Sequence, residues 1–168
     1  MIVIVMGVSG AGKTTVGAAL SETLGCEFLD ADEFHPPENV ARMAAAIALT
    51  DADRGPWLDL LNRELVAREA RGVSAVLACS ALKETYRTRL AAGLVDARLV
   101  HLRGDIGFIG ERMATREHKY MPAALLQSQF DTLEPPRDAL EIDAALDVPE
   151  AVRRITKDLA KKRPPRKP

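Results

Sequence analysis

The sequence predicts an α/β fold, a parallel sheet wrapped by helices on both faces, and three observations carry that expectation. Short Val/Ile-rich runs alternate with longer runs of helical periodicity along the chain. The first run, Ile2 to Met6, is apolar throughout rather than alternating, as a central strand covered on both faces requires. A glycine-rich turn, Gly7 to Gly12, then leads directly into a helical pattern. The 168 residues suit one domain, expected over residues 1–168, that buries roughly 70% of the surface an unfolded chain exposes.

Each element follows from its own pattern. Val16, Ala19, Leu20 and Leu24 recur at helical spacing, and Gly25 closes that helix. Glu27 to Asp30 is a short second strand. Pro56 suits the first turn of a helix whose apolar stripe is Trp57, Leu60, Leu61 and Leu65. Val73 to Cys79 and Ala97 to Leu102 read as the third and fourth strands. Ile106, Ile109 and Met113 line one face of the helix after them. Ala139 to Ile142 is a weaker fifth strand, followed by a helix from about Pro149 to Lys161. Residues 161–168 form a basic, proline-rich tail, read as a solvated, mobile terminus.

Composition excludes several functions. With 47% hydrophobic residues the chain is not disordered, and a net charge of −1 argues against bulk attraction to nucleic acid or an anionic membrane. Four Phe, two Tyr and one Trp supply no base-stacking platform. Cys26 and Cys79 match no metal-ligand spacing and read as buried hydrophobes in a reducing compartment. No apolar run approaches the ~20 residues that span a bilayer, and no targeting signal stands at the N-terminus, so a cytoplasmic protein is expected.

Gly7-Val8-Ser9-Gly10-Ala11-Gly12-Lys13-Thr14 satisfies G-x-x-x-x-G-K-[ST], between a buried strand and a helix. Glycines let the backbone curl so that successive N–H groups face phosphate oxygens, and the helix N-terminus adds its positive dipole end. Lys13 then reaches the β- and γ-phosphates, Thr14 offers its hydroxyl to Mg²⁺, and Thr15 continues the nucleotide site, so ATP is the expected cosubstrate. No N-K-x-D motif reads a guanine, and the third strand ends in Cys79-Ser80-Ala81-Leu82-Lys83 rather than in an acid pair. The acids follow the second strand instead, as Asp30 and Asp32. At a strand end two such carboxylates can divide labour between the metal's water shell and an acceptor hydroxyl, although solvated loop acids would share the pattern.

Beyond these residues come Phe34-His35-Pro36-Pro37-Glu38-Asn39-Val40, Thr50-Asp51-Ala52-Asp53-Arg54-Gly55-Pro56-Trp57-Leu58 and Tyr86-Arg87. Further on are Leu102-Arg103-Gly104-Asp105, His118 and Ser128-Gln129-Phe130-Asp131-Thr132-Leu133-Glu134-Pro135. In this order and spacing the chain resembles the gluconokinase family, small P-loop kinases that phosphorylate D-gluconate on its 6-hydroxyl, and the likeness runs to about Pro136. Two departures stand out. Ala46 and Ala48 replace a usual Gly and Pro, which is expected to stiffen or extend a helix there. Lys119 separates His118 from Tyr120, where the family commonly has His followed by Phe.

The resemblance implies an adenylate-kinase-like arrangement: a five-stranded parallel sheet, a substrate region after the second strand and a small mobile lid near residues 112–130. It also suggests a homodimer, with no nucleic-acid or membrane partner. The acceptor is then a polyhydroxy acid with one negative charge, whose carboxylate wants an Arg or Lys clamp. Arg54, Lys83 and Arg87 are the matching cations; Lys83 and Arg87, four apart, would share one helix face, or else that face is simply solvated. Ser80 lies at a strand end, where such sheets bind ligands. Asp32 is assigned to the 6-hydroxyl and Asp30 to the Mg²⁺ shell. His35 either bonds the substrate or fixes its loop, and His118 and Gln129 complete the acceptor set. Arg112 and Arg116, four apart on the lid-side helix, are candidates for nucleotide contact and for the transferring phosphoryl group, one of them rather than both. Phe34, Trp57, Tyr86, Tyr120 and Phe130 fall in these same segments, leaving only Phe28 and Phe108 outside. Shikimate kinase, or a catalytically silent nucleotide-binding module, is the alternative.

Overall fold

In the computed structural model, which describes residues 1–45, 47–115 and 123–161, five strands form one parallel sheet. They are β1 (Ile2–Met6), β2 (Glu27–Asp30), β3 (Ala75–Ala78), β4 (Ala97–Arg103) and β5 (Leu140–Asp143), in the order β2-β3-β1-β4-β5. β1 lies between β3 and β4, with Ile4 registered against Leu77 on one side and Leu99 on the other. That position explains its unbroken apolar run, because its pleat feeds two cores. Ile2, Ile4 and Met6 pack with Trp57, Leu61, Leu65 and Leu90 on one face. Val3 and Val5 pack with Val16, Leu20, Val100 and Ile155 on the other.

Helices α1 (Lys13–Leu24) and α7 (Val148–Leu159) cover the second face, and α3 (Asp51–Ala70) and α4 (Glu84–Ala91) cover the first. β1 therefore feeds a helix on one face while its neighbour β3 feeds a helix on the other. The two chain directions part at the C-terminal ends of these strands and open a crevice there, where doubly wound sheets bind ligands. The Gly7 N–H donates to the Ser80 carbonyl across its floor. A single 3₁₀ turn (Ala31–Phe34) and α2 (Pro37–Ala44) form one wall, while α5 (Ile106–Thr115) and α6 (Ala123–Thr132) flank the phosphate side.

Several sequence expectations shift in detail. Pro56 lies inside α3, not in its first turn, because Thr50 and Asp53 form a capping box that starts the helix at Asp51. Leu58 replaces Leu60 in the buried stripe. α2 stops at Ala44 and residues 47–50 are non-helical, so no helix extends through Ala48; Ala46 lies outside the described residues. Ile106 is exposed, and the inward face of α5 is carried by Ile109 and Met113. Among the described residues no helix is long and apolar enough to cross a membrane.

Candidate active site

The turn after β1 is shaped by backbone that side chains disfavour. Gly7 has φ 147°, and a Cβ there would sit 2.8 Å from the Leu102 carbonyl oxygen; Gly12 has φ 98° and serves as the N-cap of α1. Gly12 has no side chain to cap the helix, so the first-turn N–H groups face the turn and suit an anion. Lys13 Nζ donates to the Val8 carbonyl at 3.0 Å, and Ala11 N–H to the same carbonyl, which holds the ammonium inside the turn. Burial pushes the Lys13 pKa down, opposed mainly by the Asp32 carboxylate. Thr15 is exposed beside it.

The two acids after β2 have different surroundings. Asp30 uses both oxygens: Oδ2 accepts the Thr14 hydroxyl at 2.9 Å and Oδ1 accepts the Asp32 N–H at 3.1 Å, capping the 3₁₀ turn. Asp32 is exposed and, among the described residues, its carboxylate accepts no hydrogen bond. Thr14 and Asp30 thus pair one hydroxyl with one carboxylate. That donor set fits Mg²⁺, which takes one or two carboxylates and keeps several waters and phosphate oxygens.

At the other end of the crevice, the N-terminus of α3 meets α4. Lys83 Nζ donates to both Asp51 oxygens at 2.8 Å, and the Tyr86 hydroxyl donates to Asp51 Oδ1. These bonds hold the Asp51 carboxyl below its ordinary range and raise Lys83. Arg54 lies over the Tyr86 ring, 5.8 Å from its centroid, and Lys83 Nζ is 5.6 Å from that centroid. Among the described residues Arg54 makes no hydrogen bond or ion pair with a carboxylate. His35 stacks on Trp57 with centroids 4.1 Å apart, and its Nδ1 lies 3.4 Å from the Asn39 amide. Asn39, itself buried, also donates to the Asp53 carbonyl, and Trp57 donates to Ala31. Burial holds His35 below the usual imidazole range. The Cys79 thiol, just past the end of β3, is buried, and that burial pushes its pKa up to about 12.

A family model described as an AAA domain matches residues 2–136. A gluconokinase from Gluconobacter oxydans is 47% identical over 135 residues, covering 80% of this chain and 76% of that protein. The crystal structure of a gluconokinase from Sinorhizobium meliloti superposes with a TM-score of 0.82 at 38% identity, covering 94% of each chain. The chain belongs to the gluconokinase family. A sugar kinase from Janibacter sp. is also similar, with a TM-score of 0.87, 44% identity and 95% of each chain covered.

As in a P-loop kinase, this gluconokinase-family chain gathers Gly7, Val8, Ser9, Gly10, Ala11, Gly12, Lys13, Thr14, Asp30 and Asp32 at one crevice end. Ser80 lies on its floor, with Arg54 and Lys83 beyond. Arg112 sits against the phosphate turn, its guanidinium near Gly12 and donating to the Ala144 carbonyl at 2.9 Å. Arg116 and His118 lie outside the described residues.

Two expected acceptor residues occupy other positions. Gln129 reaches the phosphate turn: the Ser9 N–H donates to its Oε1 at 2.7 Å, and its Nε2 donates to Ser9 Oγ at 3.0 Å. Arg87 does not share a face with Lys83. It is buried, donating to the Ala81 and Leu82 carbonyls and to Glu84. It borders a cavity of about 610 Å³ with Leu99, Leu133 and Arg137, outside the crevice residues. The shared-face expectation fails because Lys83 is the N-cap of α4, in extended backbone, rather than a helical residue. The sequence reading missed Asp51, Tyr86 and Asn39 as parts of the site. All three stood in the quoted motifs, and for Asp51 and Tyr86 the signal was an acid at a helix N-terminus with cations in the facing segment.

Proposed function

We propose that the protein transfers the γ-phosphoryl group of ATP to the 6-hydroxyl of D-gluconate, giving 6-phospho-D-gluconate and ADP. The observation that supports this most is the gathering of the phosphate turn, Lys13, Thr14 and the Asp30–Asp32 pair in a gluconokinase-family chain. Backbone N–H groups of the turn and Lys13 hold the β- and γ-phosphates. Thr14 and Asp30 would hold Mg²⁺, which supplies positive charge to the phosphate oxygens when bound. Arg54 pairs with the gluconate carboxylate, Ser80 and His35 bond its hydroxyls, and Asp32 receives the hydroxyl proton. The acceptor oxygen forms the new P–O bond as the bond to the β,γ-bridging oxygen breaks, and the electron pair leaves with ADP. Such a loose transition state is accelerated mainly by positioning and charge.

In this reading Arg112 stays on the nucleotide, and Arg116 and His118 act from a lid that excludes water. A homodimer in the cytoplasm belongs to the same proposal and is checked by sedimentation and by fractionation. A coupled assay of ADP release with gluconate, shikimate and nucleoside monophosphates tests the reaction. Gluconate is expected to be the acceptor; robust turnover of another compound with gluconate inert would overturn it.

A further inference from the structure

Asp51 is, among the described residues, the acid ion-paired to Lys83 at the cationic end of the crevice, and its role is not explained by stability. Its side chain is 65% exposed, and exposed ion pairs contribute about 0–1 kcal/mol. Yet it takes both Lys83 hydrogen bonds and the Tyr86 hydroxyl from a position three residues before Arg54 on the same helix. The neighbouring acids have ion-pair partners of their own: Asp53 faces Arg42 at 3.4 Å and is drawn to Arg54 only at longer range, and Glu84 faces Arg87 at 2.6 Å. What remains around the Tyr86 ring is Arg54 and Lys83 against Asp51, two cations and one anion.

We propose that Asp51 sets the charge specificity of the acceptor site. By neutralising Lys83 it leaves one net positive charge, carried by Arg54, which matches a monoanionic polyhydroxy acid better than a neutral polyol or a dianion. The proposal rests on the gluconate reading above. Both cations stand over one ring, where they repel each other, and Asp51 is the group that makes that arrangement tolerable. A dianion would bring a second negative charge against a single uncompensated cation, with the Asp51 carboxylate close by as a like charge; a neutral polyol would leave Arg54 without a counter-charge in a partly desolvated site.

The test uses three acceptors with the same carbon chain and free 6-hydroxyl: D-glucitol, D-gluconate and D-glucitol 1-phosphate. They carry charges at C1 of zero, minus one and about minus two. kcat/KM is measured for the wild type, Asp51→Asn, Asp51→Glu and Lys83→Met. The wild type should prefer gluconate. Asp51→Asn should raise the ratio of glucitol 1-phosphate to gluconate by about tenfold, the effect of one unit charge moved a few ångströms away in a half-solvated site. Lys83→Met should move the ratio of gluconate to glucitol the other way, downward, and Asp51→Glu should restore the wild-type order. Structural damage would lower all three acceptors together and cannot produce shifts of opposite sign. A common loss with unchanged ratios in Asp51→Asn, while the wild type still uses gluconate, overturns this proposal and leaves the gluconate reading standing. A wild type that does not use gluconate overturns both.

Discussion

Replacing Arg87 by Met separates two roles for this cation. Its side chain is 5% exposed, and its Nη1 donates to the Ala81 and Leu82 carbonyls at 3.1 and 2.9 Å. Hydrogen bonds from charged donors contribute about 1.5–3 kcal/mol each. Leu82 keeps a second donor, the Glu134 N–H, so the larger loss falls on the Ala81 carbonyl. Glu84, the ion-pair partner, is 65% exposed and adds little. Met retains the packing of the stem, which leaves a loss of about 3 kcal/mol. For a chain of this length 1 kcal/mol corresponds to about 2–4 °C, so Tm should fall by about 6–12 °C. Ala81 holds φ 44°, a conformation unusual for alanine, immediately after Ser80 on the crevice floor. Loosening that turn should raise KM for gluconate modestly and by the same factor for uncharged acceptors. Thermal unfolding and steady-state kinetics read both effects. A Tm within 2 °C of wild type together with a tenfold rise in KM for gluconate alone would refute the reasoning and make Arg87 a direct carboxylate ligand.

The other predictions concern charge and protonation. Lys13→Ala should lower turnover by at least ~10²-fold through lost phosphate stabilisation, while Tm holds or rises because burial disfavours the ammonium; kinetics and calorimetry on the same preparation check the pair of effects. Asp32→Asn should lower kcat with little change in KM for gluconate, because the carboxylate is free to face the acceptor hydroxyl, and a change confined to KM would contradict that role. His101 is buried on β4, its Nδ1 without a hydrogen bond and 3.9 Å from Glu141. Burial holds its pKa below 6.5, so its neutral form favours the fold. That contribution is complete above pH 6.5 and is lost as pH falls through the lowered folded value. His101→Leu should therefore narrow the difference in Tm between pH 8 and pH 5, measured by thermal denaturation.

The local pattern of residues determined the fold class and the nucleotide end of the site. An apolar run, glycines and a Lys-Thr pair within 14 residues encode a buried strand, a tight turn and a helix start, and each is satisfied by neighbours in sequence. The acid pair was legible for the same reason, since Asp30 bonds Asp32 and closes its own turn. The start of α3 differs from the expectation because a proline at a helix start is a strong local signal, yet the Thr50–Asp53 capping box, opening six residues before Pro56, outweighed it. What only the tertiary structure decided is how the cations are paired. Lys83 meets Asp51 across 32 residues, and Gln129 meets Ser9 across 120. Arg87 turns beneath its own strand-end loop. Such pairings depend on which strands become neighbours and on which face each following helix packs. The sheet order places β3 between β2 and β1, so the segments that carry Asp51 and Lys83 come together at one crevice that no sequence spacing records.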